Sequence, residues 1–216
     1  MQFDAYDDYE QSERVQKWLR QNGPSIVIGV VIGLVAIFGY QKWRSHQQGR
    51  QMLAAELYQQ AQFDLNTGQT GQADALIGQL QRDFPQSAYA TFASSDRAVQ
   101  LVDAGQLDKA QAPLDWALGH APDPTLKALL AIRVARLQIA RDKAQDALAT
   151  LGQVPADIFQ PMAQELRGDA LVKLGHPGQA RQAYLNAQAA QGKDGIQSGE
   201  LQMKIDDLAE TGKQGA

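Results

Sequence analysis

From Gln21 to Gln41 the chain carries no formal charge, and the stretch from Ile26 to Phe38 is almost wholly apolar. About 21 helical residues cover about 31 Å, close to the ~30 Å hydrocarbon core of a bilayer. Trp18 stands at one end of the run, and Tyr40 and Trp43 at the other, where amphipathic rings settle at the membrane interface. A cleaved leader is the competing reading. It would be unusually long and acidic here, and Tyr40-Gln41-Lys42-Trp43 offers no small-residue cleavage site. The run therefore predicts an uncleaved transmembrane helix over 23–43 that makes the lipid bilayer a partner. An acidic tail, 1–22, precedes it.

Asn22-Gly23-Pro24 is expected to stop any helix in the tail, leaving Pro24 in the first turn of the span. A short helix over about 8–21 would place Val15, Trp18 and Leu19 against the headgroups. Gly29 and Gly33 form a small-x-x-x-small pair inside the span, at which another membrane helix could approach closely. Charge does not give the orientation: Arg14, Lys17 and Arg20 flank one side, and Lys42, Arg44 and Arg50 the other.

After Gln48 the chain becomes rich in alanine, leucine and glutamine, with helical periodicity and short glycine or proline breaks. A period emerges there. Ala61, Ala98, Ala135 and Gly168 are each followed twelve positions later by alanine, at Ala73, Ala110, Ala147 and Ala180. Successive anchors lie 37, 37 and 33 residues apart, near the ~34-residue period of tetratricopeptide repeats. Two antiparallel helices that cross closely need small side chains at the crossing. Gly68, Gly105 and Gly175 sit seven residues after the anchor in three units, and Asp142 fills that slot in the remaining one. The glycine there ends the first helix, since a left-handed residue satisfies the exposed carbonyls cheaply. Pro85 and Pro122 follow Ala73 and Ala110 by twelve, where the second helix must stop. The units are thus about 54–87, 91–124, 128–161 and 161–194. The tryptophan that usually opens this signature is replaced by Leu57, Ser94, Ala131 and Gln164. A final helix over 196–210, with Ile196, Leu201, Met203, Ile205 and Leu208, would cap the stack. The expected fold is all-α: one N-terminal transmembrane helix, then a tetratricopeptide-like solenoid over 50–210 with a C-terminal capping helix.

Catalysis finds no foothold in this sequence. There is no cysteine, which removes disulfides, thiolate metal sites and a cysteine nucleophile together. His46, His120 and His176 are scattered, with no spacing that converges them on a metal. No phosphate loop, G-x-S-x-G elbow or H-E-x-x-H occurs. With 20 basic against 24 acidic residues and a formal charge of -4, the chain lacks the basic face that nucleic acid requires. We therefore expect neither an enzyme, nor a cofactor, nor a nucleic-acid partner. Protein binding is the expectation instead. The first helix of each unit lines the groove of such a solenoid, and Arg136, Glu165 and Asp169 point toward it by register.

Several stretches resemble one bacterial family. They are Asn22-Gly23 before the span, Tyr40-Gln41-Lys42-Trp43-Arg44-Ser45-His46-Gln47 after it, Leu126-Lys127-Ala128 and Ile132-Arg133-Val134-Ala135-Arg136. Further on come Glu165-Leu166-Arg167-Gly168-Asp169-Ala170-Leu171 and Leu201-Gln202-Met203-Lys204-Ile205. With the order of tail, span and repeats, they make the chain similar to the ancillary SecYEG translocon subunits (the YfgM family). The resemblance implies an inner-membrane location, with the tail in the cytoplasm and the repeats in the periplasm. It also implies association with the SecYEG translocon and with the membrane-anchored periplasmic chaperone PpiD, and a role in passing exported client proteins to periplasmic chaperones. It implies no catalytic residue. The alternative is a periplasmic scaffold for envelope assembly unrelated to the translocon.

Overall fold

A computed structural model describes residues 5–191 and 199–211. Among the described residues every regular element is a helix: α1 (Ala5–Asn66), α2 (Thr70–Asp83), α3 (Ala88–Asp103), α4 (Leu107–Gly119), α5 (Pro124–Ala140), α6 (Ala144–Leu151), α7 (Gln160–Lys173), α8 (Pro177–Gln191) and α9 (Gly199–Thr211). The contacts divide the chain into two compact units that meet between Met52 and Leu53.

In the first unit, α1 runs through Asn22-Gly23-Pro24 without stopping, where the sequence predicted a break. Proline removes a single N–H from the helical ladder and leaves one carbonyl four residues back without its donor, a cost that a long helix can bear. Glycine and proline are also better tolerated in membrane helices than in soluble ones. This helix contains an apolar window long enough to cross a membrane, and none of that window is buried inside the protein. Val27, Ile28, Val30, Val31, Ile32, Val35, Ile37 and Phe38 all stand exposed. A water-soluble helix would pack such residues.

In the second unit, four helix pairs follow one another: the end of α1 with α2, α3 with α4, α5 with α6, and α7 with α8. Ala61, Ala98 and Ala135 are buried, Gly168 too, and so are Ala73, Ala110, Ala147 and Ala180. The turn between each pair is built the same way four times. Gly68, Gly105, Asp142 and Gly175 have φ of 76°, 70°, 58° and 75°. Each such residue donates its N–H to the carbonyl three residues back, as Gly105 does to Val102 at 2.9 Å. The next residue donates five back: Gln69 to Asp64 at 2.8 Å, Gln106 to Leu101 at 2.8 Å, Lys143 to Gln138 at 2.8 Å and His176 to Leu171 at 2.9 Å. These paired bonds satisfy the carbonyls orphaned at the end of the first helix.

The fourth crossing is a size exchange. Sixteen residues after each anchor stand Ile77, Leu114, Leu151 and Tyr184, all buried. Where the large partner becomes tyrosine, the anchor shrinks from alanine to glycine. A Cβ at Gly168 would overlap the Tyr184 ring, so close packing leaves that position to glycine alone.

The third pair departs from the others. Its second helix, α6, stops at Leu151, because Gly152 and Pro155 end it early. Val154, Ile158 and Phe159 from the loop after it pack onto the same buried cluster instead. Buried side chains form four successive clusters, each made by neighbouring helices, as expected of a stack in which repeats touch only their neighbours. The helix expected over 196–210 is α9, Gly199–Thr211; Ile196 lies outside the described residues. Leu201 and Ile205 bury against the α7–α8 pair.

Candidate protein-binding groove

The repeat register organises the exposed face of the first helices. Three residues before the anchor stand Tyr58, Ser95, Ile132 and Glu165; two before it, Asp96, Arg133 and Leu166 in the later units. Each junction between successive first helices joins the first kind to the second. Tyr58 Oη donates to Asp96 Oδ2 at 2.8 Å, and Arg133 donates to Ser95 Oγ. The third junction is apolar: Ile132 and Leu166 are both buried in one cluster. The last is ionic and uses α9, whose Lys204 Nζ lies 2.9 Å from Glu165 Oε1 and 3.0 Å from Asp169 Oδ1.

Glu165 and Asp169 are thus engaged within the domain. Asp169 also accepts from Tyr184 Oη at 2.8 Å, and the Lys204 ammonium lies 5.8 Å from the Tyr184 ring centroid. Burial alone would lower the Lys204 pKa, but the hydrogen bonds and charges of Glu165 and Asp169 outweigh it and hold the ammonium above its ordinary range. Tyr184 is raised by burial first and by Asp169 second. Tyr58 is raised likewise, by burial and then by Asp96. All three stay protonated at neutral pH.

Arg136 stands differently. It occupies the same register step as Asp169, one after the anchor, yet it is exposed and makes no ion pair or hydrogen bond among the described residues. It lines a pocket of about 320 Å³ with Ala98, Val99, Val102, Arg133 and Leu137. A neighbouring pocket of about 230 Å³ shares Val99 and is lined by Gln62, Asn66, Asp96 and Gln100. Together they make a trough along α1, α3 and α5. Phe92, Val99 and Val102 expose apolar surface along α3, and positions 92, 99 and 102 share one helix face. A larger polar depression of about 510 Å³ lies at the turns near Gly105 and Asp142. Its Arg141 is already held by Asp108 at 2.7 Å and Gln111 at 2.7 Å.

Sequence reasoning named Arg136, Glu165 and Asp169 but missed Val99, Val102, Arg133 and Lys204. The first three were within reach, because stepping each first helix from its anchor places them on the groove face. Lys204 was not, since α9 carries no anchor pattern. A Cβ at Gly29 or Gly33 would have no neighbour within 4 Å beyond the backbone of its own helix. Among the described residues no cluster of three histidines or acids could hold a metal ion.

The model of the tetratricopeptide repeat-like domain family matches residues 16–210. The "Ancillary SecYEG translocon subunit" of Escherichia coli strain K12 is 30% identical over 203 residues, covering 94% of this chain and 97% of that protein. The chain belongs to the ancillary SecYEG translocon subunit family. The protein of the same description from Haemophilus influenzae is 28% identical over 210 residues, 94% of this chain and 100% of its own. In fold, the chain is similar to a solved structure from a functional characterization of Pseudomonas aeruginosa pilF. The TM-score is 0.59 with 18% identity, over 77% of this chain and 72% of that one. That likeness shows a shared architecture alone.

Proposed function

We propose that this protein is a non-catalytic inner-membrane adaptor at the SecYEG protein-export channel. In this reading residues 1–22 are a cytoplasmic tail, 23–43 a single transmembrane helix, and 50–210 a periplasmic repeat domain that links emerging proteins to periplasmic chaperones, PpiD among them. The observation that carries the proposal is the likeness to proteins named as translocon subunits over nearly their full length. The exposed apolar helix supports the anchor, and an open groove supports protein binding by the repeats. Gly29 and Gly33 are the proposed approach surface for a channel helix. Arg136 is the proposed groove contact; Glu165 and Asp169 would act there through the surface they form with Lys204.

The test is recovery of SecYEG with the tagged protein from membranes in mild detergent. The proposal expects the channel in near-constant proportion. An intact, soluble preparation without the channel contradicts it and favours an envelope scaffold. Protease added to spheroplasts should remove the repeat domain and leave a small anchored fragment. Full protection of that domain until lysis would reverse the orientation.

A further inference from the structure

The trough along α3 and α5 is chemically uneven, and that unevenness selects an occupant. At one end Asp96 accepts from two neutral donors, Tyr58 at 2.8 Å and Gln62 at 3.2 Å, and keeps its negative charge. At the other, Ala98, Val99, Val102 and Leu137 form an apolar floor flanked by two arginines. Arg133 spends a donor on Ser95, while Arg136 spends none among the described residues. Asp103, one turn beyond Val99, lies outside the pocket lining and pairs with neither arginine. So uncancelled positive charge borders an apolar pocket of about 320 Å³. Elsewhere on this face the corresponding charge is satisfied internally. At the same register step in the fourth repeat, Asp169 is matched by Lys204.

We infer that the α3–α5 pocket docks a protein segment carrying a bulky apolar side chain beside a carboxylate. The apolar group fills the space over Val99 and Val102, and the carboxylate pairs with the Arg136 guanidinium, whose planar fork suits a bidentate acceptor. Basic segments are disfavoured over Val99 and Val102, because an ammonium there meets the like charge of Arg136 and Arg133, and Asp96 lies outside that pocket's lining. This rests on the adaptor reading above and specifies which segments the groove accepts.

The experiment uses the full chain in zwitterionic nanodiscs, with empty nanodiscs as the blank. Three fluorescein-labelled synthetic peptides are titrated by anisotropy: Leu and Phe flanked by Glu, the same apolar pair flanked by Lys, and a Glu peptide with Ser at the apolar positions. The Glu–apolar peptide should bind about tenfold tighter than either other peptide. Arg136→Glu should weaken it about tenfold and favour the Lys peptide, Arg136→Lys, which keeps the charge but loses the fork, should fall between Arg136→Glu and the parent and keep the preference for the Glu peptide, and Val99→Asp should abolish binding. Equal binding of the acidic and basic peptides overturns the inference. So does an unchanged affinity in Arg136→Glu, or self-association that Val99→Asp abolishes while no peptide binds, since the occupant would then be a second copy. SecYEG recovery, measured in parallel, keeps the two proposals apart. Its absence from the parent chain defeats the adaptor reading, whereas recovery without peptide selectivity defeats only this one.

Discussion

Arg136 and Asp169 occupy the same step of successive repeats, yet one meets an open pocket and the other an internal partner. The difference lies in the elements C-terminal to each helix. After α5 the chain adds another repeat, whose junction with α5 closes through Ile132 and Leu166, leaving Arg136 outside the contact. After the α7–α8 pair the next described helix is α9, and its Lys204 bridges Glu165 and Asp169. Terminal repeats need a cover for the face that a neighbour would otherwise bury. Here the cover consumes the polar residues that would, in mid-stack, have faced a partner. A charge on the groove face is therefore evidence of recognition only where the stack continues past it.

The largest expected effect breaks the closed region outright. Gly168→Leu would drive a side chain into the Tyr184 ring, where even a Cβ has no room, and should cost about 3 kcal/mol. Denaturant titration checks it, and the companion Gly168→Leu/Tyr184→Leu, which relieves the clash by shrinking the facing side chain, should recover part of the loss. A smaller effect sharpens the comparison. Lys204→Met leaves Glu165 and Asp169 half-buried without their cation and should destabilise by about 1–2 kcal/mol, whereas Arg136→Met should change stability by less than about 0.5 kcal/mol.

The same cap predicts an alkaline limb. Lys204, Tyr58 and Tyr184 bind protons more tightly folded than unfolded. Their contribution is intact below about pH 10, near the unfolded values, and is lost as pH rises further. Equilibrium unfolding at pH 8 and pH 10.5 should show the fall, and Lys204→Met should flatten it.

The smallest effect concerns Asp142, which stands where the turns inside the other three helix pairs have glycine. Asp142 holds φ of 58°, which glycine adopts more cheaply. Asp142→Gly should stabilise by about 0.5 kcal/mol despite losing the exposed pair with Lys173. Thermal melts resolve that difference.

These contrasts also explain what the sequence could disclose. The crossings and turns were legible because close packing and a left-handed residue restrict composition to a few types, at Ala61, Ala98, Ala135 and Gly168 and at Gly68, Gly105, Asp142 and Gly175. Register likewise put Arg136, Glu165 and Asp169 on one face. It could not tell which of them would be covered, because the position of Lys204 depends on tertiary return of α9 rather than on any local pattern. At Asn22-Gly23-Pro24 local propensity pointed the wrong way. A proline costs one hydrogen bond, and membrane helices tolerate it better than soluble ones.

Val102 and Val172 test the central contrast most directly. Both are exposed valines four residues after their anchors, one on the open α3 face and one on the capped α7. A photo-crosslinking residue placed at each position in intact cells, with mass spectrometry of the adducts, reads contact without altering any ionic group. The open-groove account predicts partner adducts at position 102 and few at 172. Equal adducts at both, or adducts confined to 172, would contradict it.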